Sequence, residues 1–227
     1  MTAGAQPRQL AFKLPHAESL SREDFLEGPP NAAALELVDR WPKWPSRVVM
    51  LVGDSGSGKS HLAAIWAANA GARSTAARAL TAGAVPGALA TGALVVEDVA
   101  PADIDERALF HLLNLARQEE VDVLMTARTL PAGWTLELRD LQSRLRAVPV
   151  VTLAPPDDAL LRALIVKLCM DRQLSVDEAL VNYLASRIER SYVAARKAIE
   201  LLDAEALRLR RPVTRALASE LFRGPAA

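Results

Sequence analysis

The fold is decided by the stretch Gly53-Asp54-Ser55-Gly56-Ser57-Gly58-Lys59-Ser60. It matches in full the pattern G-x-x-x-x-G-K-[ST] of a phosphate-binding P-loop. The apolar run at 48–52 that precedes it predicts a buried parallel strand, and the run at 61–68 that follows predicts a helix. Strand, glycine loop and helix together are the context that this motif needs. The alternative is a glycine-rich turn that only joins a strand to a helix.

The residue types in this loop suit a phosphate ligand. The glycines let the backbone curl so that its N–H groups point inward at phosphate oxygens, and the helix N-terminus adds the positive end of its dipole. Lys59 can reach the β- and γ-phosphates, and the Ser60 hydroxyl suits Mg²⁺. We therefore expect ATP or ADP with Mg²⁺ to bind here, and the loop residues expected to hold the nucleotide are Gly53, Ser55, Gly56, Ser57, Gly58, Lys59 and Ser60.

The bulk composition is that of an ordinary globular chain. Lys+Arg and Asp+Glu each number 27, so the net charge is zero, which argues against a broad surface for nucleic acid or anionic membranes. No apolar run is long enough to span a bilayer, and residues 1–10 lack the apolar core of a signal peptide. We expect a cytoplasmic protein without membrane association or sequence-specific DNA binding. The single cysteine, Cys169, is expected to be a small core residue.

Strand-like and helix-like segments alternate on both sides of the P-loop. This alternation predicts an α/β fold with a parallel five-stranded sheet and helices on both faces. Pro155-Pro156 then marks a boundary, and the segments after it are all helical, with a capping box at Ser175–Glu178 expected to start the second helix. The predicted organisation is an arm at 1–22, a P-loop core at 23–155 and a small all-helical lid at 156–227.

A second motif lies at 93–98, where an apolar strand ends in Glu97 and Asp98. Next to a P-loop this is a Walker B pattern, in which one acid holds Mg²⁺ through water and the other orients an attacking water. We assign Glu97, with Ser60, to the metal site and both acids to catalysis. The alternative is an acidic helix entry, because Asp103 with Glu106 also resembles an N-cap pair.

Taken in order, these motifs resemble the AAA+ ATPases and, more closely, the nucleotide-binding part of the bacterial replication initiator DnaA. The resemblance covers roughly residues 23–210. The matching stretches are Phe25-x-x-Gly28-x-x-Asn31, Gly58-Lys59-Ser60-His61-Leu62, Glu97-Asp98-Val99, Phe110-His111-x-x-Asn114 and Leu141-Gln142-Ser143-Arg144-Leu145. The resemblance implies nucleotide contacts for Asn31 and His61, a sensor 1 role for Thr126, and an arginine finger at Arg144.

The chain also departs from the initiator. Its Walker B order is Glu-Asp, where many AAA+ proteins have Asp-Glu and the initiator has Asp-Asp. A second acid shorter than the Glu of Asp-Glu positions water less well, which puts intrinsic ATPase activity in doubt. Alignment places Val193 where the lid's sensor 2 arginine is expected, and we select Arg196, one turn further on, for that role. The initiator carries a C-terminal helix-turn-helix domain, whereas this sequence ends at Ala227, so no such domain is expected.

The arm contains Gln9-Leu10-Ala11-Phe12, which resembles a sliding-clamp-binding peptide. Gln9, Leu10 and Phe12 are then the partner-binding residues, with two apolar anchors and an amide that fixes orientation. The alternative is an edge strand in which Leu10, Phe12 and Leu14 alternate over the core.

The combination of arm, core and lid resembles the Hda-type regulators. These associate with the DNA-loaded sliding clamp and promote hydrolysis of the ATP held by the initiator, so the implied partners are a DnaA-type initiator and the clamp. Self-association stays open. The rival functions are a small P-loop enzyme such as a nucleotide kinase, and a helicase-loader-type AAA+ ATPase. A kinase usually carries its mobile lid inside the core, whereas here the helices follow the core.

Overall fold

The computed structural model describes residues 20–222, and the structural statements that follow refer to this part of the chain. One parallel sheet lies at its centre, with its strands in the order β2-β3-β4-β1-β5. The strands are β1 (Val48–Val52), β2 (Arg73–Ala76), β3 (Ala93–Val99), β4 (Asp122–Ala127) and β5 (Val150–Thr152). The predicted five-stranded parallel α/β core is therefore confirmed.

Helices cover both faces of the sheet, as a parallel sheet requires. They are α1 (Ala32–Asp39), α2 (Lys59–Ala70), α3 (Val85–Leu89), α4 (Glu106–Gln118) and α5 (Arg139–Ala147), with short 3₁₀ turns at Ala77–Ala79, Ala82–Ala84 and Pro131–Gly133.

The central strand β1 shows how the two faces are filled. Met50 faces a cluster that includes Leu112 of α4, whereas the neighbouring Leu51 faces a second cluster that includes Trp66 of α2. Successive side chains of a strand point to opposite faces, so a strand covered on both faces must be apolar throughout. All five residues of β1 are accordingly buried. This burial holds the start of the P-loop at the carboxyl end of the central strand.

The helices after β5 form a cluster of their own. They are α6 (Asp158–Asp171), α7 (Glu178–Ala185), α8 (Tyr192–Leu209) and α9 (Arg215–Leu221), and their inward residues include Leu161, Leu180 and Ile199. The prediction of helices after the core is confirmed, while the boundary at residue 156 stays a prediction. Cys169 is fully buried in this cluster, as expected of a small core residue.

Two local predictions were wrong. Helix α7 is capped by Asp177, whose side chain accepts from the backbone N–H of Leu180, so the capping box at Ser175 does not form. Helix α4 is capped by Asp105, which accepts from two backbone N–H groups, so the N-cap pair of Asp103 with Glu106, given as the alternative to a Walker B pattern, does not form. The apolar run at 148–153 predicts a fifth strand of that length, whereas β5 covers only Val150–Thr152, the three residues that pair with β1. Among residues 20–222, no helix has the length and apolar character needed to cross a membrane.

Candidate functional site

The P-loop follows β1 and turns sharply into α2. Gly56 and Gly58 have φ angles of 73° and 97°, in the left-handed region where a side chain would add strain. A Cβ at Gly53 would lie 2.7 Å from the Leu153 carbonyl oxygen, so the backbone approaches β5 too closely for any other residue. The glycines of the motif are therefore required by the local geometry, which a simple connecting turn would not demand.

Lys59 lies inside the loop, and only 6% of its surface is exposed. Its Nζ donates to the carbonyl oxygens of Gly53 at 2.7 Å and Asp54 at 2.8 Å. The third N–H of the ammonium group faces the Ser57 hydroxyl oxygen at 3.5 Å, the long limit of a hydrogen bond. The two carbonyl bonds therefore orient the group, and this third, weaker contact is the one that an anion in the loop could replace. Burial lowers the pKa of Lys59, and the negative charge of Asp98 offsets part of this shift.

Ser60 and Glu97 meet across the sheet edge. The Ser60 hydroxyl donates to Glu97 Oε2 at 2.7 Å, and the Ser74 hydroxyl on β2 donates to Glu97 Oε1 at 3.3 Å. Sequence reasoning did not single out Ser74, because its pairing with the β3 acid depends on the strand order. Within the described range 20–222, no group of three or more His, Cys, Asp or Glu side chains is placed to hold a metal ion. A metal bound by Ser60 and Glu97 would therefore need ligands from phosphate and water, as Mg²⁺ commonly does.

Asp98 occupies an irregular position at the end of β3. Its φ of 56° lies in the left-handed region, and the register of β3 with β4 shifts between Val96 and Val99. The backbone N–H of Asp98 donates to the Thr126 hydroxyl at 3.0 Å, and Thr126 is 1% exposed. Such a bulge re-aims a side chain, and here it places the second acid beside the sensor 1 candidate. The structure thus brings Glu97, Asp98 and Thr126 together next to the P-loop.

Asn31 is buried, with 2% of its surface exposed. Its Oδ1 accepts from the backbone N–H of Gly28 at 2.9 Å. Its Nδ2 donates to the Leu26 carbonyl at 2.9 Å and to the Tyr192 hydroxyl at 3.1 Å. Both donors of the amide are therefore used within the protein, so the expected nucleotide contact of Asn31 is limited to the remaining acceptor capacity of Oδ1.

The segment before Asn31 crosses the P-loop. Phe25 is buried, and a Cβ on Gly58 would lie 3.4 Å from its ring. The same ring meets His61 edge-on, with 5.2 Å between centroids. A ring nitrogen of His61 lies 2.8 Å from the Ser21 carbonyl oxygen. His61, expected to contact nucleotide, thus already holds this segment against the first turn of α2.

The lid touches the loop at the start of α8. The backbone N–H of Tyr192 donates to the Gly56 carbonyl at 3.2 Å. Val193, the next residue, is so close that a Cβ on Gly56 would lie 2.5 Å from its Cγ2. An apolar side chain therefore stands at the lid position where the resemblance called for an arginine. Of the neighbouring arginines, Arg190 pairs with Asp158 at 2.8 Å, and Arg196 is half-buried one turn along α8.

Arg144, the expected arginine finger, lies in the last turn of α5. Its guanidinium stacks over the ring of Phe110 on α4, 5.1 Å from the centroid. In the described part of the chain no ion pair joins it to Asp140, the carboxylate one turn earlier on the same helix. Phe110 belongs to one of the stretches that match DnaA, and its contact with Arg144 was not foreseen from the sequence.

A cavity of about 560 Å³ opens beside the P-loop, at the carboxyl ends of β1, β4 and β5. Gly53, Asp54 and Arg128 line it, whereas Gly56 to Ser60 do not, so it lies at the side of the phosphate loop. Arg128 directly follows β4, and its charge lowers the pKa of Lys59. The predicted partner-binding residues Gln9, Leu10 and Phe12 lie outside the described residues.

Solved structures of other proteins share this fold. No protein-family model matches the sequence, and no curated protein matches it significantly. Domain III of the Thermotoga maritima replication initiation protein DnaA has a TM-score of 0.73 and 20% identity, over 90% of this chain and 95% of that one. AMPPCP-bound DnaA from Aquifex aeolicus has a TM-score of 0.67 and 18% identity, over 82% and 65%. The Thermotoga maritima RuvB Holliday junction branch migration motor has a TM-score of 0.71 and 17% identity, over 89% and 71%. These likenesses show that the chain has the AAA+ fold.

Proposed function

We propose that this chain binds ATP or ADP together with Mg²⁺. The observation that carries the proposal is Lys59, whose charged nitrogen is buried in the loop and held by two backbone carbonyls. A buried ammonium without a carboxylate hydrogen-bonded to it is costly unless an anion shares the site. The positive-φ glycines and the N-terminus of α2 supply the rest of a phosphate cradle.

The donor set of the site fits Mg²⁺. The Ser60 hydroxyl donates a hydrogen bond to Glu97, which leaves its oxygen lone pairs for a cation, and Glu97 would accept from a water bound to that cation. Bound Mg²⁺ neutralises charge on phosphate oxygens. Asp98, with the Thr126 hydroxyl beside it, is then the candidate for orienting water, and its short side chain leads us to propose weak intrinsic hydrolysis.

We further propose that the chain is an AAA+ regulator of replication initiation that acts with the sliding clamp and promotes hydrolysis of initiator-bound ATP. Three observations support this proposal. The ordered motifs resemble DnaA, domain III of DnaA has the same fold along nearly all of its length, and the arm carries a clamp-binding-like peptide. The Arg144 guanidinium stacks on Phe110 and forms no ion pair with Asp140. Its charge is therefore not neutralised by that carboxylate and can act on a nucleotide held by a neighbouring molecule.

The test is a reconstituted assay of ATP hydrolysis by a DnaA-type initiator with DNA-loaded clamp. Adding this chain should accelerate hydrolysis, and omitting the clamp should remove most of the effect. A nucleotide kinase would instead convert nucleoside monophosphate to diphosphate without initiator or clamp. Observing that conversion, with no effect on the initiator, would favour the rival function.

A further inference from the structure

The junction between the lid and the P-loop centres on Tyr192, the first residue of α8. Its backbone N–H donates to the Gly56 carbonyl, and its hydroxyl accepts from the buried amide of Asn31. One residue therefore joins the lid to the apex of the phosphate loop and to the segment that leads into α1. Tyr192 is half-buried.

We propose that Tyr192 and Asn31 form a clasp that holds the lid closed against the P-loop and thereby positions the loop around a bound nucleotide. Both are positioning residues, because they act through Gly56 and the segment before α1. The inference rests on the proposed nucleotide binding and adds to it the interaction that sets how long a nucleotide stays bound.

The other hydrogen bonds of Asn31 fix the direction of its contact with the lid. Asn31 is fixed at both ends of its amide, because Gly28 donates to its oxygen and Leu26 accepts one of its N–H groups. The remaining N–H group can therefore point only toward the lid. Burial raises the pKa of Tyr192, so its hydroxyl stays protonated and neutral over the physiological range.

On the lid side, the two sequence neighbours of Tyr192 fix its position. Val193 fills the space over Gly56 so closely that even a methyl group on that glycine would collide with it. The start of α8 is set by Ser191, whose hydroxyl accepts from the N–H of Ala194. A helix whose first turn is capped in this way presents the Tyr192 N–H at a fixed angle. Loss of the Asn31 bond therefore removes one of the two hydrogen bonds by which Tyr192 joins the lid to the loop and its neighbouring segment.

The test uses Tyr192→Phe, which removes only the hydroxyl, and Tyr183→Phe as the matched control. Tyr183 is the other of the two tyrosines and lies within the lid on α7. Stopped-flow kinetics with a fluorescent ADP analogue should show dissociation faster by about two- to twelvefold for Tyr192→Phe, the value of one net hydrogen bond of ~0.5–1.5 kcal/mol. The association rate should change little, and the control should match wild type.

Asn31→Ala completes a double-mutant cycle. In that background Tyr192→Phe should add nothing, because the hydroxyl has already lost its partner. Equal effects of Tyr192→Phe in both backgrounds would overturn the clasp. Hydrogen exchange of the nucleotide-free chain gives a second measurement that needs only the single variant, and the amide at position 192 should exchange faster in Tyr192→Phe than in wild type.

The outcomes separate this inference from the proposed function. If the wild-type chain binds no ADP, the proposed function fails and the positioning role fails with it. If the wild type binds and Tyr192→Phe releases the analogue at the wild-type rate, only the clasp is refuted. Faster exchange at position 192 without faster release would also refute it, because the contact would then be structural alone.

Discussion

Replacing Arg144 by alanine should abolish stimulation of the initiator's ATPase while leaving the fold almost intact. In the isolated chain its guanidinium contributes one contact, the stack on Phe110. A cation–π contact at a partly exposed site is worth about 0.5–1 kcal/mol. For a chain of this size, that corresponds to a loss of roughly 1–4 °C in melting temperature.

The expected loss of function is far larger than this loss of stability. An arginine that neutralises charge on a transferring phosphoryl group contributes about 10³–10⁵ in rate. At 1.36 kcal/mol per tenfold, this is roughly 4–7 kcal/mol of activation free energy. If Arg144 acts only within its own chain, Arg144→Ala should change the rate of ATP hydrolysis by the initiator only slightly, in keeping with its small effect on the free energy of unfolding.

The assay measures phosphate release from ATP-loaded initiator with DNA-loaded clamp, alongside calorimetric titration of the variant with ADP. Arg144→Ala should bind nucleotide and clamp like wild type but fail to stimulate hydrolysis. Arg139→Ala and Arg146→Ala, at exposed positions of the same helix, are measured beside it as the alternative candidates. Full stimulation by Arg144→Ala would refute the assignment, and loss of stimulation in Arg146→Ala or Arg139→Ala instead would move the finger to that residue.

Three further predictions follow from the same structure. Lys59→Ala should weaken ATP and ADP binding more than tenfold by calorimetry because a charge-assisted phosphate contact is lost, and unchanged affinity in a folded variant would contradict the P-loop assignment. Gln9→Ala with Leu10→Ala should abolish capture by immobilised clamp with little change in melting temperature; a large loss of stability with intact capture would restore the edge-strand alternative. Burial raises the pKa of Cys169 to about 11, so maleimide at pH 8 should label it only after denaturation, and rapid labelling of the native chain would show that the lid opens readily.

The P-loop could be predicted from the sequence because the motif itself dictates backbone geometry. Glycines at fixed spacing, an apolar strand before them and a helix after them leave few alternatives. The order of the strands could not be predicted, since β4 pairs between β1 and β3 and these partners are distant in sequence. For that reason the sequence identified Glu97 as a metal candidate but gave no sign that Ser74 would also hold it.

The helices of the lid were predicted by their periodicity, but their exact starts were not. Asp177 was read as the third residue of a capping box and is instead the cap itself. Short polar side chains close together compete for the same backbone N–H groups, and the choice depends on how the preceding turn packs. The expected sensor 2 position illustrates the same limit, because Val193 could be aligned but its contact with Gly56 depends on the docking of the lid.

The segment at 21–31 explains why the lid and the P-loop cannot be treated separately. Phe25 belongs to the core cluster, whereas its neighbour Leu26 packs against the lid cluster. Asp24 of the same segment pairs with Lys167 on α6 at 2.9 Å. Because the segment is bonded on both sides, the lid cannot rotate away from the loop without breaking contacts on one side of it. A ligand that orders the P-loop can therefore act on the lid through this segment as well as through the direct contact of Tyr192 with Gly56.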